Sequence, residues 1–321
     1  MSQQQAANAI TETSVELFPF RRVLVLLTET DADTCVLRYL SMLEDARGTG
    51  PLPRVQETSI LPLPSDARAG YSRRPQSGKV QAAGLMTEPR TSISVSFHTL
   101  GKDNLRDLVD LLARPDLDLV LVGRPSHRMN ARRTLPIIRR LALNTACPIW
   151  IVPETATNPR FQTIVVPMDF GESCGEAAEM ASSLAAAWRI PECLALHAYF
   201  SESRFPSQQG VEALNEGKWH AFSECTSRLS RNAPWFKLHF EEGRRVSKVI
   251  ERFAERVRAD LIVMGADQRS RWAAAALGST LLETIEGSRI PVLVVKTGRK
   301  ISFFREVLEA VLHPKDVLQT S

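Results

Sequence analysis

The chain repeats itself at long range. Asp118-Leu-Val-Leu-Val-Gly123 and Cys147-Pro-Ile-Trp-Ile-Val152 return as Asp260-Leu-Ile-Val-Met-Gly265 and Ile290-Pro-Val-Leu-Val-Val295. The offset is 142 from Asp118 to Asp260 and from Gly123 to Gly265, and 143 from Pro148 to Pro291. Upstream, Arg22-Val-Leu-Val-Leu-Leu-Thr28 matches Thr163-Ile-Val-Val-Pro-Met-Asp169 at an offset of 141. Solenoid repeats have periods of roughly 20–50 residues, so a period this long is a whole domain written twice. Two copies of about 140–150 residues fit a chain of 321 residues.

The bulk composition narrows the function classes. Apolar residues make up 44% and charged residues 24%, as in an ordinary globular protein. A net charge of +4 over this length does not call for a specific nucleic-acid partner. The five cysteines (35, 147, 174, 193 and 225) are odd in number and form no CxxC or Cys/His ligand spacing, which fits reduced thiols. The N-terminus has neither the basic nor the apolar region of a signal peptide, and no apolar run approaches the roughly 18 residues of a membrane span. The expectation is a cytoplasmic protein with no membrane partner.

The second copy reads as alternating strands and helices. Thr163–Met168 is a continuous β-branched run, the mark of a strand covered on both faces. A helix follows over Ala177–Trp188, then a strand over Glu192–Tyr199 and a helix over Val211–Asn232. Trp235–Phe240 is a strand, Val246–Arg258 a helix with one apolar face, and Leu261–Met264 a strand. A helix from Gly278 to about Gly287 and a strand over Val292–Val295 close the unit. Alternation of this kind implies a parallel, doubly wound sheet. The first copy follows the plan with strands at Val23–Leu27, Val55–Leu61, Ile93–Phe97, Leu119–Val122 and Ile149–Val152, and helices at Thr34–Leu43, Leu105–Leu112 and Leu135–Leu143. Residues 62–90 are dense in Pro, Gly, Ser and Arg and read as a long irregular loop. The domain expectation is a tail over 1–20, a first domain over 21–155, a second over 161–297, and a C-terminal tail over 298–321. In that tail Ile301, Phe304, Val307, Leu308, Val311 and Leu312 form an apolar helical stripe. A membrane-surface helix calls for more Lys and Arg on its polar face, so docking on protein is preferred.

In a doubly wound sheet, ligands sit at the carboxyl ends of the strands near the switch in strand order. There the second copy gathers Pro167, Asp169, Met264, Gly265 and the loop ending at Gly278-Ser279-Thr280. Free N–H groups and the positive end of a helix dipole suit a phosphate, and Ser279 and Thr280 add hydroxyl donors. An aspartate ending strand one is placed to accept hydrogen bonds from a ribose.

These segments, Thr163–Asp169, Asp260–Gly265, Leu277–Thr280 and Ile290–Val295, resemble the universal stress protein family. The resemblance covers the second copy from end to end and the first in outline, as in tandem members. It implies two five-stranded parallel-sheet domains, adenine nucleotide alpha hydrolase-like, each with strand order 3-2-1-4-5. It also implies ATP or another adenine nucleotide held by the pattern Gly-x2-Gly-x9-Gly-Ser/Thr. On this chain the pattern falls on Gly265, Gln268, Gly278, Ser279 and Thr280, and Asp169 matches the family's strand-one aspartate. Gln268 departs from the middle glycine. A Cβ at a positive φ costs on the order of 1 kcal/mol, and the side chain stands where phosphate oxygens approach. Arg269 and Arg271 read as a solvated basic loop, with partial compensation by pairing with phosphate as the alternative.

The first copy keeps less of this. Thr28 replaces Asp169, Leu26 replaces Pro167, and no Gly-Ser/Thr precedes the helix after Gly123. Six arginines between Arg124 and Arg140 read as a solvated face rather than an anion site. His197 reads as a packed core histidine and Cys174 as a packed thiol, with no adjacent histidine to activate it. Glu172 with Glu176 and Glu241 with Glu242 are surface pairs, not an acid/base couple. No nucleophile-elbow, zincin or Walker signature is present. The expectation is a non-catalytic stress protein. Its first domain packs on the second as an intramolecular pseudo-dimer through isologous contact, with a homodimer of chains as a further option. The second domain keeps a degenerate adenine-nucleotide pocket. The alternative is a ligand-independent scaffold that holds protein partners.

Overall fold

The computed structural model describes residues 20–45, 94–99, 108, 112, 114, 117–145, 147–157, 159–200, 208–227, 229, 235–267 and 273–297. The Val/Ile/Leu-rich runs form nine strands. These are β1 (Arg22–Leu27), β2 (Ser94–Thr99), β3 (Leu119–Arg124), β4 (Ile149–Pro153), β5 (Ile164–Pro167), β6 (Glu192–Tyr199), β7 (Trp235–Glu242), β8 (Leu261–Asp267) and β9 (Val292–Thr297). The helices described in full are α1 (Ala32–Asp45), α2 (Arg128–Asn144), α3 (Glu172–Ala187), α4 (Gln208–Thr226), α5 (Val246–Arg256) and α6 (Ala273–Gly287). None of the described helices is long and apolar enough to cross a membrane.

The second half has the expected order, β7-β6-β5-β8-β9, all parallel. Two expectations are corrected. The halves do not form separate sheets: β4 pairs with β9, and the strands merge into one nine-stranded sheet, β2-β1-β3-β4-β9-β8-β5-β6-β7. The strand expected third in the first half, here β2, pairs directly with β1 and takes the place expected for strand two. The stretch 55–61, the loop 62–90 and the C-terminal stripe lie outside the described residues. Of the helix expected over 105–112, Leu108 and Leu112 are described, and both are buried.

The junction between β4 and β9 is antiparallel, with Ile149 opposite Val294, Trp150 opposite Leu293 and Ile151 opposite Val292. Adding the repeat offset of 143 to 150 gives 293, so Trp150 and Leu293 are equivalent positions facing each other. The local two-fold passes between them, as isologous contact between copies requires. Both edge strands are apolar on both faces, so pairing them satisfies two exposed backbone edges at once.

The sheet is covered on both sides, which is why its strands do not alternate in polarity. Val23, Val25, Leu121, Trp150, Val166, Val263 and Leu293 pack in one layer with α1 and α3. Leu24, Leu26, Val122, Ile151, Val165, Ile262 and Val294 pack in the other with α2, α5 and α6. In each half one half-buried aspartate ties together the starts of strands one and four. Asp118 Oδ2 accepts the N–H groups of Arg21 and Arg22, both at 2.9 Å. Asp260 Oδ2 accepts those of Gln162 and Thr163 at 2.9 and 3.1 Å.

Each half also sends a cation onto the other half's helix end. The Arg124 guanidinium donates to the carbonyl of Ser288, just past α6, and the Lys296 ammonium donates to the carbonyl of Ala142 in the last turn of α2. A cation there satisfies free carbonyls and meets the negative end of the helix dipole. Arg139 pairs with Glu286 across the same seam. Two of the six arginines read as a solvated face therefore fasten the halves together.

Candidate functional site

The carboxyl ends of β5 and β8 meet beside the first turn of α3. β5 pairs with β8 at Ile164 opposite Leu261 and Val165 opposite Ile262. Continuing that register by two residues brings Pro167 level with Met264. Pro167 is half-buried and Met264 is 7% exposed. Past β5 the chain is pinned to β6: the Met168 N–H donates to the Leu196 carbonyl at 2.8 Å, and His197 Nδ1 lies 2.8 Å from the Met168 carbonyl. His197 is 8% exposed, and burial pulls its pKa below the ordinary value. That is the packed histidine expected from the sequence.

Asp169 is exposed at the end of this strand. Its Oδ1 accepts the Gly171 N–H at 2.9 Å and the Cys174 thiol at 3.0 Å. Both contacts fall on one oxygen and fix the carboxylate's orientation. Oδ2 is left without a hydrogen bond among the described residues. The Cys174 thiol is pushed up to about 12, by burial first and by the Asp169 charge second, so it stays a neutral donor. Phe170 follows with φ of 64°, and its equivalent in the first half, Glu29, has φ of 56°. A left-handed residue with a side chain is unfavourable, yet both copies keep one directly after strand one.

Gly265 has a packing role beside its place in the pattern. A Cβ built there would lie 2.2 Å from the Ser173 carbonyl oxygen and 2.7 Å from its carbon. The glycine lets the first turn of α3 rest on the end of β8. Gly123 does the same in the first half, with a built Cβ 2.9 Å from Ala32 Cβ. We expect Gly265→Ala to lose about 1–3 kcal/mol through overpacking against backbone. Gly123→Ala should lose less, because its tightest neighbour is a methyl group. Thermal unfolding of the two variants ranks them, and equal or reversed losses would refute this packing role.

Helix α6 begins at Ala273, not at Gly278 as the sequence suggested. The run Ala273–Ala276 consists of the strongest helix former and extends the helix backwards. Gly278 and Ser279 therefore lie inside α6, and Thr280 follows, half-exposed, its carbonyl accepting the Thr284 hydroxyl at 2.7 Å. Gln268 lies outside the described residues. Of the residues singled out in the sequence, the structure thus brings Pro167, Asp169, Met264 and Gly265 together at one sheet edge.

Comparison with known proteins agrees with this architecture. The sequence model of the universal stress protein family matches residues 160–296. A universal stress protein of Methanocaldococcus jannaschii is 32% identical over 152 residues, covering 44% of this chain and 85% of that protein. A Pseudomonas aeruginosa protein of unknown function shares the fold over 92% of this chain and 99% of its own, with a TM-score of 0.58 and 16% identity. A universal stress protein of Archaeoglobus fulgidus does so over 88% of this chain and 98% of its own, with a TM-score of 0.50 and 18% identity. Both structural matches run through both halves, as the repeat requires. With the aspartate-ended strand one, the 3-2-1-4-5 sheet of the second half and the sequence match on that same half, the chain belongs to the universal stress protein family.

Proposed function

We propose that this protein is a non-catalytic nucleotide-responsive stress protein whose second half takes one adenine nucleotide, such as ATP, at the carboxyl edge of β5 and β8. The supporting observation is the state of Asp169: one oxygen is held by Gly171 and Cys174, and the other is presented to solvent at the end of strand one. A pre-oriented carboxylate is suited to a ribose hydroxyl, since little freedom is lost when the ligand arrives. The non-catalytic part is supported by His197, which is 8% exposed and packed against Phe170 and Phe240. It is not placed to act as a base on a nucleotide outside.

The second reading, a ligand-independent scaffold, is favoured by Gln268 at the middle of the glycine pattern and by the early start of α6. Calorimetric titration with ATP separates the two. Wild type should bind, and Asp169→Ala should lose about 1–3 kcal/mol. Gln268→Gly, which restores the family's middle glycine, should bind about 1 kcal/mol more tightly. Absence of binding by wild type and Gln268→Gly alike would put the scaffold in front.

A further inference from the structure

The repeat offsets pair Thr28 with Asp169, Asp33 with Cys174, Ser126 with Gln268 and Glu154 with Thr297. At the first two pairs the carboxylate has changed ends. In the second half it stands on the strand and faces outward. In the first half it stands on the helix as Asp33, which is 2% exposed. Asp33 accepts the Thr28 N–H at 2.9 and 3.1 Å, the Thr28 hydroxyl at 2.8 Å and the Thr30 N–H at 3.3 Å. The end of strand one in this half is saturated from within.

The loop before α2 is also engaged from within, at one amide. Its Ser126 N–H, at the position of the motif's middle glycine, donates to Glu154 Oε2 at 2.5 Å. Glu154 stands directly after β4 and is itself anchored. Its N–H donates to the Arg124 carbonyl at 3.0 Å, and its carbonyl accepts the Cys35 thiol at 3.2 Å. The chain then runs on past Thr157, whose carbonyl accepts Arg38 Nη1 at 2.8 Å.

We propose that the first half is a cradle closed by the chain's own carboxylates. Asp33 fills the position corresponding to the ribose side of the second-half site, and Glu154 fills the loop corresponding to its phosphate side. This inference rests on the nucleotide reading of the second half for what those positions correspond to. An incoming nucleotide must displace a carboxylate already bound to the loop amide, and it brings negative charge to the same place. The contact that excludes it also fastens the connecting segment, since Glu154 begins the link between the halves. The chain therefore takes nucleotide in one half only.

Hydrogen-exchange mass spectrometry on the full chain tests this, with ATP as the probe. In Glu154→Ala the amide of Ser126 should exchange roughly ten-fold faster or more, the loss of one hydrogen bond to a charged acceptor. In wild type, ATP should leave the segments 26–33 and 124–130 unchanged. Protection of either segment by ATP in wild type would overturn the proposal, as would unchanged exchange at Ser126 in Glu154→Ala. Failure of the second-half reading is seen separately, as a lack of ATP protection over 167–174.

Discussion

Replacing Trp150 with alanine will destabilise the protein by about 3–5 kcal/mol, the range for deleting a large buried aromatic. Trp150 is fully buried on β4, beside the local two-fold. Its ring meets Tyr39 of α1 edge-on at 6.2 Å, Phe161 at 5.4 Å and Trp188, just past α3, at 6.2 Å. Phe161 stacks on Trp188 at 3.9 Å and an interplanar angle of 12°. The cluster therefore takes one ring from each half's helix layer, one from the joining strand and one from the connecting segment. The Trp150 Nε1–H has no hydrogen-bond partner among the described residues. Trp150→Phe keeps most of the volume and removes that buried donor, so it should cost less than about 1.5 kcal/mol. Because the cluster spans the seam, Trp150→Ala should also turn a single denaturant transition into two, as the halves uncouple. Guanidinium unfolding followed by circular dichroism checks both points. A loss below about 1 kcal/mol with one retained transition would mean that the seam is held elsewhere.

Much of this was legible in the sequence, because buried parallel strands write themselves as unbroken β-branched runs. Glu192–Tyr199 begins and ends as read, and Val246–Arg256 shows its buried face as Val249, Ile250 and Phe253. The merged sheet was harder to read. The apolar run of β4 gives its burial but not its partner, and pairing Trp150 with Leu293 joins positions far apart in the chain. The helix α6 start was written in Ala273–Ala276 but outweighed by the glycine pattern. Gly265 shows what a motif leaves out: its place beside a ligand edge is legible, while its close packing against Ser173 is seen only in the geometry. Asp33 carries no signal of its own in the sequence, because an aspartate in a first helical turn is commonplace. Its exchange with Asp169 is visible only where the two copies are aligned at the repeat offset.

Lys296 makes stability depend on pH in a direction that its sign fixes. It lies on β9 in the layer of α2 and α6, is 8% exposed, and its ammonium donates to the Ala142 carbonyl beside the buried Cys147 thiol. Burial pulls its pKa down to about 7 from the ordinary 10.5, while proximity to Cys147 opposes this weakly. Between those values the unfolded chain holds the proton and the folded one releases it. Stability therefore rises with pH across that window, by up to about 1.4 kcal/mol per unit, and below pH 7 the full penalty of a buried charge remains. Cys147 works the other way above its ordinary range, since burial raises its thiol to about 12. The clean interval is accordingly pH 7 to 8.5, where wild type should gain about 2 kcal/mol relative to Lys296→Met. The variant keeps the aliphatic bulk and has no proton to exchange. It should be the more stable of the two at pH 7, as expected when a buried charge gives way to a side chain of similar volume. Urea titrations of both proteins at several pH values measure the difference. Parallel curves would show that Lys296 keeps its charge on a solvated path. In that case the Ala142 contact would act as an ordinary helix cap, and the seam between the halves would not sense pH.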